Sequence, residues 1–292
     1  MHAAHRIRRA SRLLLCVAIL AGIPAFGQID LAGEWSVRIH EDLLQRRDPP
    51  GPDIGDYTGL PINDAARLRA ESWDASILTV REHQTVPFSV AYQFRGGSSM
   101  RISKVVDDAT QQVIALKILR GAPSGAERTI WMDGRPHPPD YAAHTFQGFS
   151  TGKWEGDTLT IETTHIKAGI IQRNGVPHSD RATLIEHFLR HGTNLTVVGI
   201  VQDPVYLEEP FIRTSNYVFD PHQELGPVPT EVVDEIAGRS DGYVPHHLPG
   251  TNVQLKDFSN RTGVPWEAAR GGRATTYPEY QLTLQELMKN HH

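Results

Sequence analysis

The stretch from Trp131 to His144 reads WMDGRPHPPDYAAH and holds side chains that could do acid–base or anion-binding chemistry. Asp133 and Arg135 flank a glycine, and His137 lies between two prolines. Each proline restricts its own φ and the residue before it, so His137 is expected to be held extended. Such rigidity can preorganise a polar site for a ligand. It can equally make a corner in which Asp133 and Arg135 pair as a structural clasp.

Six histidines fall within 55 consecutive positions in the middle of the chain. His144, His165 and His187 are the candidate catalytic groups, because an imidazole beside a carboxylate in an enclosed pocket can be tuned near neutral pH. His165 follows one predicted strand and His187 lies within another, and each shares a strand face with aliphatic side chains. If these faces point inward, His165 is expected near the rim of a β-barrel and His187 along its interior.

The candidate ligand contacts are charged, imidazole or aromatic side chains near these histidines. Carboxylate and guanidinium groups would orient an imidazole or contact an anion, and an indole would form an apolar pocket wall. One of them lies in the segment QRNGVPHSDR, which is typical of a loop at a barrel mouth but is also a plain turn signal. The set is Asp133, Arg135, His137, Trp154, Arg173 and Glu186.

The sequence leaves metal binding open. No HExxH, HxH or other compact ligand spacing occurs, and neighbouring strand residues such as Glu186 and His187 point to opposite faces. A divalent metal is possible, but no cofactor is indicated. The segment GFSTG has the spacing of a nucleophile elbow around Ser150, but a predicted hairpin follows it where the elbow requires a helix.

Alternating apolar residues separated by turn signals predict many short strands. The clearest hairpin is GKWEGDTLTIETTH, with its turn at residues 155–157. Helical patterns are few: NDAARLRAESW after an Asn63 cap, PWEAARGG, and YPEYQLTLQELMKN. These patterns predict a mainly β fold, an antiparallel β-barrel or sandwich of lipocalin-like type with a few short helices.

The N-terminus predicts export. Four arginines precede an apolar run and small residues near position 27, which is typical of a secretory signal peptide over residues 1–27. We expect residues 28–292 to form a single β-rich domain, with a helical or irregular tail from about residue 221, in the periplasm or outside the cell. The run is too short for a comfortable membrane span. Oligomeric state is not indicated.

Removal of the signal peptide changes the charge and the thiol content. It takes away four arginines and no acidic residue, so the formal net charge falls from −5 to −9. An acidic protein has no basic surplus with which to bind nucleic acid. The single cysteine, Cys16, is lost with the peptide, so disulfides and thiol chemistry are not expected.

Several motifs resemble those of a family of bacterial secreted proteins of uncharacterised function. They are IWMDGRPHP, GKWEGDTLTIETT, and LIEHFLRH followed by DPVYL, and the resemblance extends from about Gly33 to YPEY near the C-terminus. The segment GEW is similar to the first strand of lipocalin-like barrels. The resemblance implies a secreted β-barrel but carries no activity.

Two classes of function remain open. The protein is either an exported enzyme or a lipocalin-like carrier of an apolar small molecule without catalysis. As an enzyme, it would gather the imidazoles and the Asp133–Arg135 corner in one barrel cavity and act there on a small organic molecule by acid–base or metal-assisted chemistry. A cavity with polar residues at its centre favours the enzyme, and one lined by aliphatic and aromatic groups favours the carrier. A small-molecule ligand is expected in both.

Overall fold

Nine strands close into a barrel in the computed structural model, which describes residues 29–39, 51–75, 85–121, 125–226, 243 and 245–291. The predicted mainly β barrel with a few short helices is confirmed, and the predicted signal peptide lies outside the described residues. Two further short strands, β7 and β8, form a separate ribbon. The strands are β1 (Gly33–Val37), β2 (Met100–Val106), β3 (Val113–Arg120), β4 (Glu127–Trp131), β5 (Phe149–Glu155), β6 (Thr158–Thr164), β7 (Gly169–Ile170), β8 (Pro177–His178), β9 (Thr183–His191), β10 (Asn194–Gln202) and β11 (Phe211–Phe219).

Around the barrel the strand order is β1-β11-β10-β9-β6-β5-β4-β3-β2, closing back on β1. All these pairs are antiparallel except β4 and β5, where Ile130 pairs with Ser150 in parallel. Parallel neighbours require a crossover, because the chain must return to the end where the first strand began. The proline-rich stretch that opened the sequence analysis belongs to this crossover, residues 132–148.

The register places alternate residues of each strand inside. On β9 the interior side chains are Leu184, Glu186 and Phe188, all almost completely buried. On β6, Leu159 and Ile161 are fully buried, as their shared face predicted. The predicted hairpin joins β5 to β6, with Glu155 paired to Thr158 across the turn. Because side chains alternate in a strand, the other residues of β9 face outward.

A helical cap covers one end of the barrel. Helix α1 (Asp64–Glu71) begins at the predicted Asn63 cap, whose side chain accepts a hydrogen bond from the Ala66 amide at 3.0 Å, and α2 (Val90–Gln93) follows. Apolar side chains of the cap and the barrel share one buried cluster, which includes Ala66, Ala70, Val90, Ile171, Val176, Leu184, Val201 and Phe211. This shared burial fixes the cap to the barrel.

After β11 the described chain is helical or irregular. Helices α3 (Asp257–Thr262), α4 (Trp266–Ala269) and α5 (Tyr280–His291) follow. Helix α4 lies within one of the two other predicted helical segments, and α5 begins within the other and ends one residue beyond it. The tail binds the cap through backbone hydrogen bonds from Tyr57 to the Ala269 carbonyl at 2.9 Å and from Gly59 to the Gly272 carbonyl at 3.0 Å. Within the described ranges, no helix has the length and apolarity required to span a membrane.

Candidate functional site

Asp133 and Arg135 form an exposed clasp at the start of the crossover. Arg135 Nε donates to the Asp133 carboxylate at 2.9 and 3.0 Å, and Nη2 donates at 2.5 Å. The guanidinium carbon lies 3.5 Å from the centre of the Trp131 ring. Hydrogen bonding from Arg135 lowers the pKa of Asp133, so the carboxylate stays charged. The two charges bind each other across the Gly134 turn, which has φ +76°, as expected of a clasp.

His137 lies on the outer face of β5 and β6. Its Nδ1 is 2.7 Å from the Thr164 hydroxyl and its Nε2 is 2.8 Å from the Thr151 hydroxyl. The Phe149 ring packs edge-on against it, with 5.3 Å between ring centres. Burial lowers the pKa of His137, and the charge of Glu162 partly opposes this shift. His137 is therefore held neutral and fully hydrogen-bonded, consistent with its rigid proline-flanked backbone.

His165 joins His137 to a third imidazole. Its Nδ1 is 2.7 Å from the same Thr164 hydroxyl, and its Nε2 is 3.0 Å from the Pro139 carbonyl. The His144 ring is 5.1 Å away, centre to centre, at 36°. His165 has φ +56°, a left-handed conformation that is uncommon for residues other than glycine. Strained backbone of this kind is often found at functional sites.

The chemistry of these groups determines which atom donates and which accepts in each hydrogen bond. A carbonyl can only accept, so His165 Nε2 carries the proton that bonds Pro139. With the His165 proton on Nε2, Nδ1 accepts from the Thr164 hydroxyl, whose oxygen accepts from His137 Nδ1. His137 Nε2 is left to accept from the Thr151 hydroxyl. The result is a continuous chain of donors and acceptors across two imidazoles, and the Pro139 carbonyl sets its direction.

His187 lies apart from this group, on the outside of the barrel. The prediction that it lines the interior is wrong, because the neighbouring residues Glu186 and Phe188 occupy the buried face of β9. Its Nδ1 is 3.0 Å from the Thr160 hydroxyl. Thr160 and Thr164 are four residues apart on β6, a separation of about 13 Å in a strand. Direct contact between His187 and the His165 imidazole is therefore not expected.

Glu186 lies inside the barrel, bonded to an arginine that sequence reasoning missed. Its Oε2 accepts from Nη2 of Arg128 at 2.5 Å, and the two side chains are 1% and 5% exposed. A second missed arginine, Arg120, donates to the Tyr217 hydroxyl at 2.6 Å. Strand alternation was the available signal for Arg128. It is two positions from Ile130 on β4 and so shares its face, and both side chains are buried.

The interior side chains of the described strands leave little surface accessible to water. Ile130, Leu159 and Phe188 are fully buried. Trp154 is on the same face of β5 as the buried Ser150, near the end of the strand, and is half-buried. The predicted gathering of imidazoles with the Asp133–Arg135 corner in one interior cavity is not found. His137, His144 and His165 meet outside the barrel, while Glu186 is inside it.

Arg173 lies in the turn between β7 and β8, as the loop prediction proposed. It lines an open cleft of about 260 Å³ together with Trp73. The next residue, Asn174, is fully buried and donates from its side-chain amide to the Asp56 carbonyl at 2.8 Å. This bond fixes the turn against the cap. Arg173 therefore lies at a surface cleft, and the residues that line this cleft include none of the crossover histidines.

No group of three or more histidine, cysteine or carboxylate side chains that could hold a metal ion is found among the residues that the structure describes. Of the predicted residues, those in mutual contact are His137 and His165 through Thr164, His144 against His165, and Asp133 with Arg135. The threonines that link the imidazoles were not predicted. Threonine at alternate outward positions of a hairpin is common, so its pattern alone gave no signal.

Comparisons with known proteins leave the family open. No family model matches the chain, and no curated protein is significantly similar to it. Among solved structures, the crystal structure of a mutant of the fluorescent protein UnaG aligns with 65% of this chain and 95% of its own length, at 9% identity and a TM-score of 0.29. The description of the barrel therefore rests on the strand pairing. The resemblance to a secreted bacterial family stays a prediction.

Proposed function

We propose that this protein is an exported enzyme that performs acid–base chemistry on a small organic molecule at the crossover site, defined as Thr151, His137, Thr164, His165 and His144. The observation that carries the proposal is the hydrogen-bonded chain from Thr151 through His137 and Thr164 to His165. This chain holds two imidazoles in a fixed orientation beside a third, His144, which is the arrangement that general acid–base catalysis requires.

His144 is the imidazole best placed to contact a substrate. It is half-buried, its ring lies against His165, and neither ring nitrogen has a hydrogen-bond partner among the described residues. In contrast, both nitrogens of His137 and of His165 are engaged. His144 therefore acts as the general base or acid, and the hydrogen-bonded chain behind it fixes the His165 ring against which His144 packs.

The alternative, an apolar carrier, receives less support. An apolar ligand inside the barrel would have to displace buried side chains and lie against the Arg128–Glu186 ion pair. The chemistry of the interior therefore suits a structural role better than a carrier site.

Deuterium exchange tests the proposal without a known substrate. The purified protein is incubated in D₂O with a panel of ketones, aldehydes, 2-oxo acids and lactones, and deuterium incorporation at carbon is followed by mass spectrometry. We expect at least one compound to exchange faster than in buffer, and His144→Gln to reduce that rate about 100-fold or more. His191→Gln, at the exposed end of β9, is the matched control and keeps the rate.

Failure of every compound to exchange above the buffer rate would contradict the proposal. So would an equal rate in His144→Gln, provided that its melting temperature matches the parent. Export is tested separately: the protein recovered from the cell envelope fraction should have an intact mass that lacks residues 1–27. Recovery of the full-mass chain from the cytoplasm would contradict the proposed export.

A further inference from the structure

Lys167 is an exposed cation two residues after His165. Its ammonium nitrogen lies 5.0 Å from the centre of the Phe146 ring, a distance at which the ring face attracts a cation. Among the residues that the structure describes, this ammonium has no ion-pair or hydrogen-bond partner. A positive charge without a counter-ion on the protein attracts a negatively charged ligand.

The backbone brings Lys167 beside His144. The amide of Thr145 donates to the His165 carbonyl at 3.0 Å, and the carbonyl of Thr145 accepts from the Lys167 amide at 2.8 Å. On one side of Thr145, His144 packs against His165. On the other side, Phe146 packs against Lys167. Since the Cα atoms of residues two apart in a chain are at most about 7 Å from each other, the two contacts are neighbours on the molecule.

The segment that carries Phe146 is fixed on two sides. The Phe146 carbonyl accepts a hydrogen bond from the Val90 amide of the cap at 2.8 Å. A Cβ atom on Gly148, which has φ +65°, would lie 2.6 Å from the Thr164 carbonyl oxygen, so the chain packs directly on the end of β6. The backbone around Lys167 is therefore already ordered, and it loses little conformational entropy when a ligand binds.

Two carboxylates near the crossover site leave the charge of Lys167 unneutralised. Glu162 is opposite Thr151 in the register of β5 and β6, at the other end of the crossover site, where its charge acts on His137. Asp140, within the crossover itself, is exposed and forms no ion pair with Lys167. The charge beside the imidazole that has no hydrogen-bond partner is therefore positive.

We propose that the crossover site acts on carboxylates with a neighbouring carbonyl group, such as 2-oxo acids, and that Lys167 binds the carboxylate. This inference rests on the proposed function, because it names the substrate class of the same site. His144 takes a proton from the carbon next to the carbonyl, the C–H electron pair forms the C=C bond of the enolate, and the carbonyl oxygen takes up the negative charge. The ammonium stabilises this charge. Return of the proton, or of a deuteron from D₂O, restores the acid.

A carboxylate matches Lys167 better than a phosphate does. The ammonium is a compact point charge with three donors. Phosphate sites usually combine several donors, such as the backbone N–H groups of a helix N-terminus. The chain after Lys167 continues into β7 and begins no helix there. A single negative charge is therefore the expected ligand group.

Saturation-transfer NMR on the purified protein tests the proposal with pyruvate, 2-oxobutyrate and phenylpyruvate, each compared with its neutral amide. We expect at least one acid to bind with a Kd on the order of 1 mM, about threefold to fivefold more tightly than its amide, as for an exposed ion pair. Lys167→Gln should bind the acid and the amide alike at an unchanged melting temperature, whereas Lys167→Arg should keep the preference.

Three controls accompany this comparison. Lys256→Gln changes an exposed lysine in the 3₁₀ turn of the tail, Val253–Lys256, and should keep the preference. Salt at about 0.5 M should reduce the preference of the parent, because salt screens exposed charges. Phosphate at the concentration of the acid should displace little of it.

Several outcomes would overturn the proposal. They are the absence of binding by every acid up to about 50 mM, well above the Kd expected; equal binding of acid and amide by the parent; a preference that Lys167→Gln keeps; and displacement of the acid by phosphate.

Deuterium exchange separates this inference from the proposed function. Preferential binding of an acid without exchange in any compound would support the carboxylate site and contradict acid–base catalysis. Exchange of neutral ketones as fast as that of 2-oxo acids would support catalysis and overturn the assignment of the substrate class.

Discussion

Oε2 of Glu186 on β9 accepts a hydrogen bond from Nη2 of Arg128 on β4 at 2.5 Å, inside the barrel. Two strands, β5 and β6, separate these two in the barrel wall. The ion pair therefore joins strands that are not neighbours, and it does so where almost no water reaches either side chain. Nη1 of Arg128 is also buried and has no hydrogen-bond partner within the described chain. Mutation of either residue alone would therefore leave a buried charge without its partner.

Arg128→Ala should destabilise the protein by about 3–5 kcal/mol, because it leaves the Glu186 carboxylate buried without its partner. Urea unfolding measures the loss. The double variant Arg128→Met/Glu186→Leu removes both charges and fills similar space, so it should recover most of that stability. A double variant as unstable as Arg128→Ala would show that the loss comes from packing and not from the unpaired charge.

Gly199→Ala should destabilise the contact between the cap and the barrel by about 1–3 kcal/mol through overpacking. A Cβ atom at this position would lie 2.6 Å from Cδ2 of Phe94, which follows α2. Thermal unfolding of Gly199→Ala, alone and combined with Phe94→Leu, measures the loss of stability. Leucine has no ring at this position, so the double variant should lose less stability than the sum of the two single variants. Additive losses in the double variant would argue that the two residues do not press on each other.

His137 should make stability fall as the pH is lowered. Burial holds its folded pKa below the ordinary 6.5, so between these two values the unfolded chain binds more protons. Its contribution is present above about pH 6.5 and is lost as the pH falls through the folded pKa. His137→Gln should therefore show a smaller drop in urea midpoint from about pH 7.5 to about pH 5. Parallel curves for the parent and the variant would contradict this.

The left-handed backbone of His165 should make substitutions there depend on side-chain shape. Asparagine adopts positive φ more readily than β-branched residues. His165→Asn should therefore be more stable than His165→Val by about 1–2 kcal/mol, although both lose the bonds to Thr164 and Pro139. Equal melting temperatures for the two variants would mean that the backbone relaxes out of the φ of +56° when the imidazole is removed.

Local patterns predicted the elements well. The Asn63 cap, the hairpin between β5 and β6, and the buried face of Leu159 and Ile161 all follow from signals within a few residues. Alternation also determines which residues share a face of β9. It does not say which face is inside, because Ile185 and Leu189 are as apolar as Leu184 and Phe188. That ambiguity is why His187 was placed inside and Glu186 was not paired with Arg128.

In the proline-rich stretch, too, the sequence predicted the local structure but not its place in the fold. Its composition predicted a rigid segment, and both the clasp of Asp133 with Arg135 and the hydrogen-bonded His137 are consistent with that. Nothing within the stretch indicated that β4 and β5 would pair in parallel, which makes the segment a crossover. The crossover then places His137, His144 and His165 outside the barrel.

By itself the sequence determined the barrel strands, their turns, three of the five described α-helices and the rigidity of the crossover, because each of these depends on interactions between residues close in the chain. Only the tertiary structure decided the closure of the barrel, the Arg128–Glu186 ion pair and the threonine-linked imidazoles. These depend on which distant segments meet, and a shift of one residue in strand register would exchange the inside and outside of a strand.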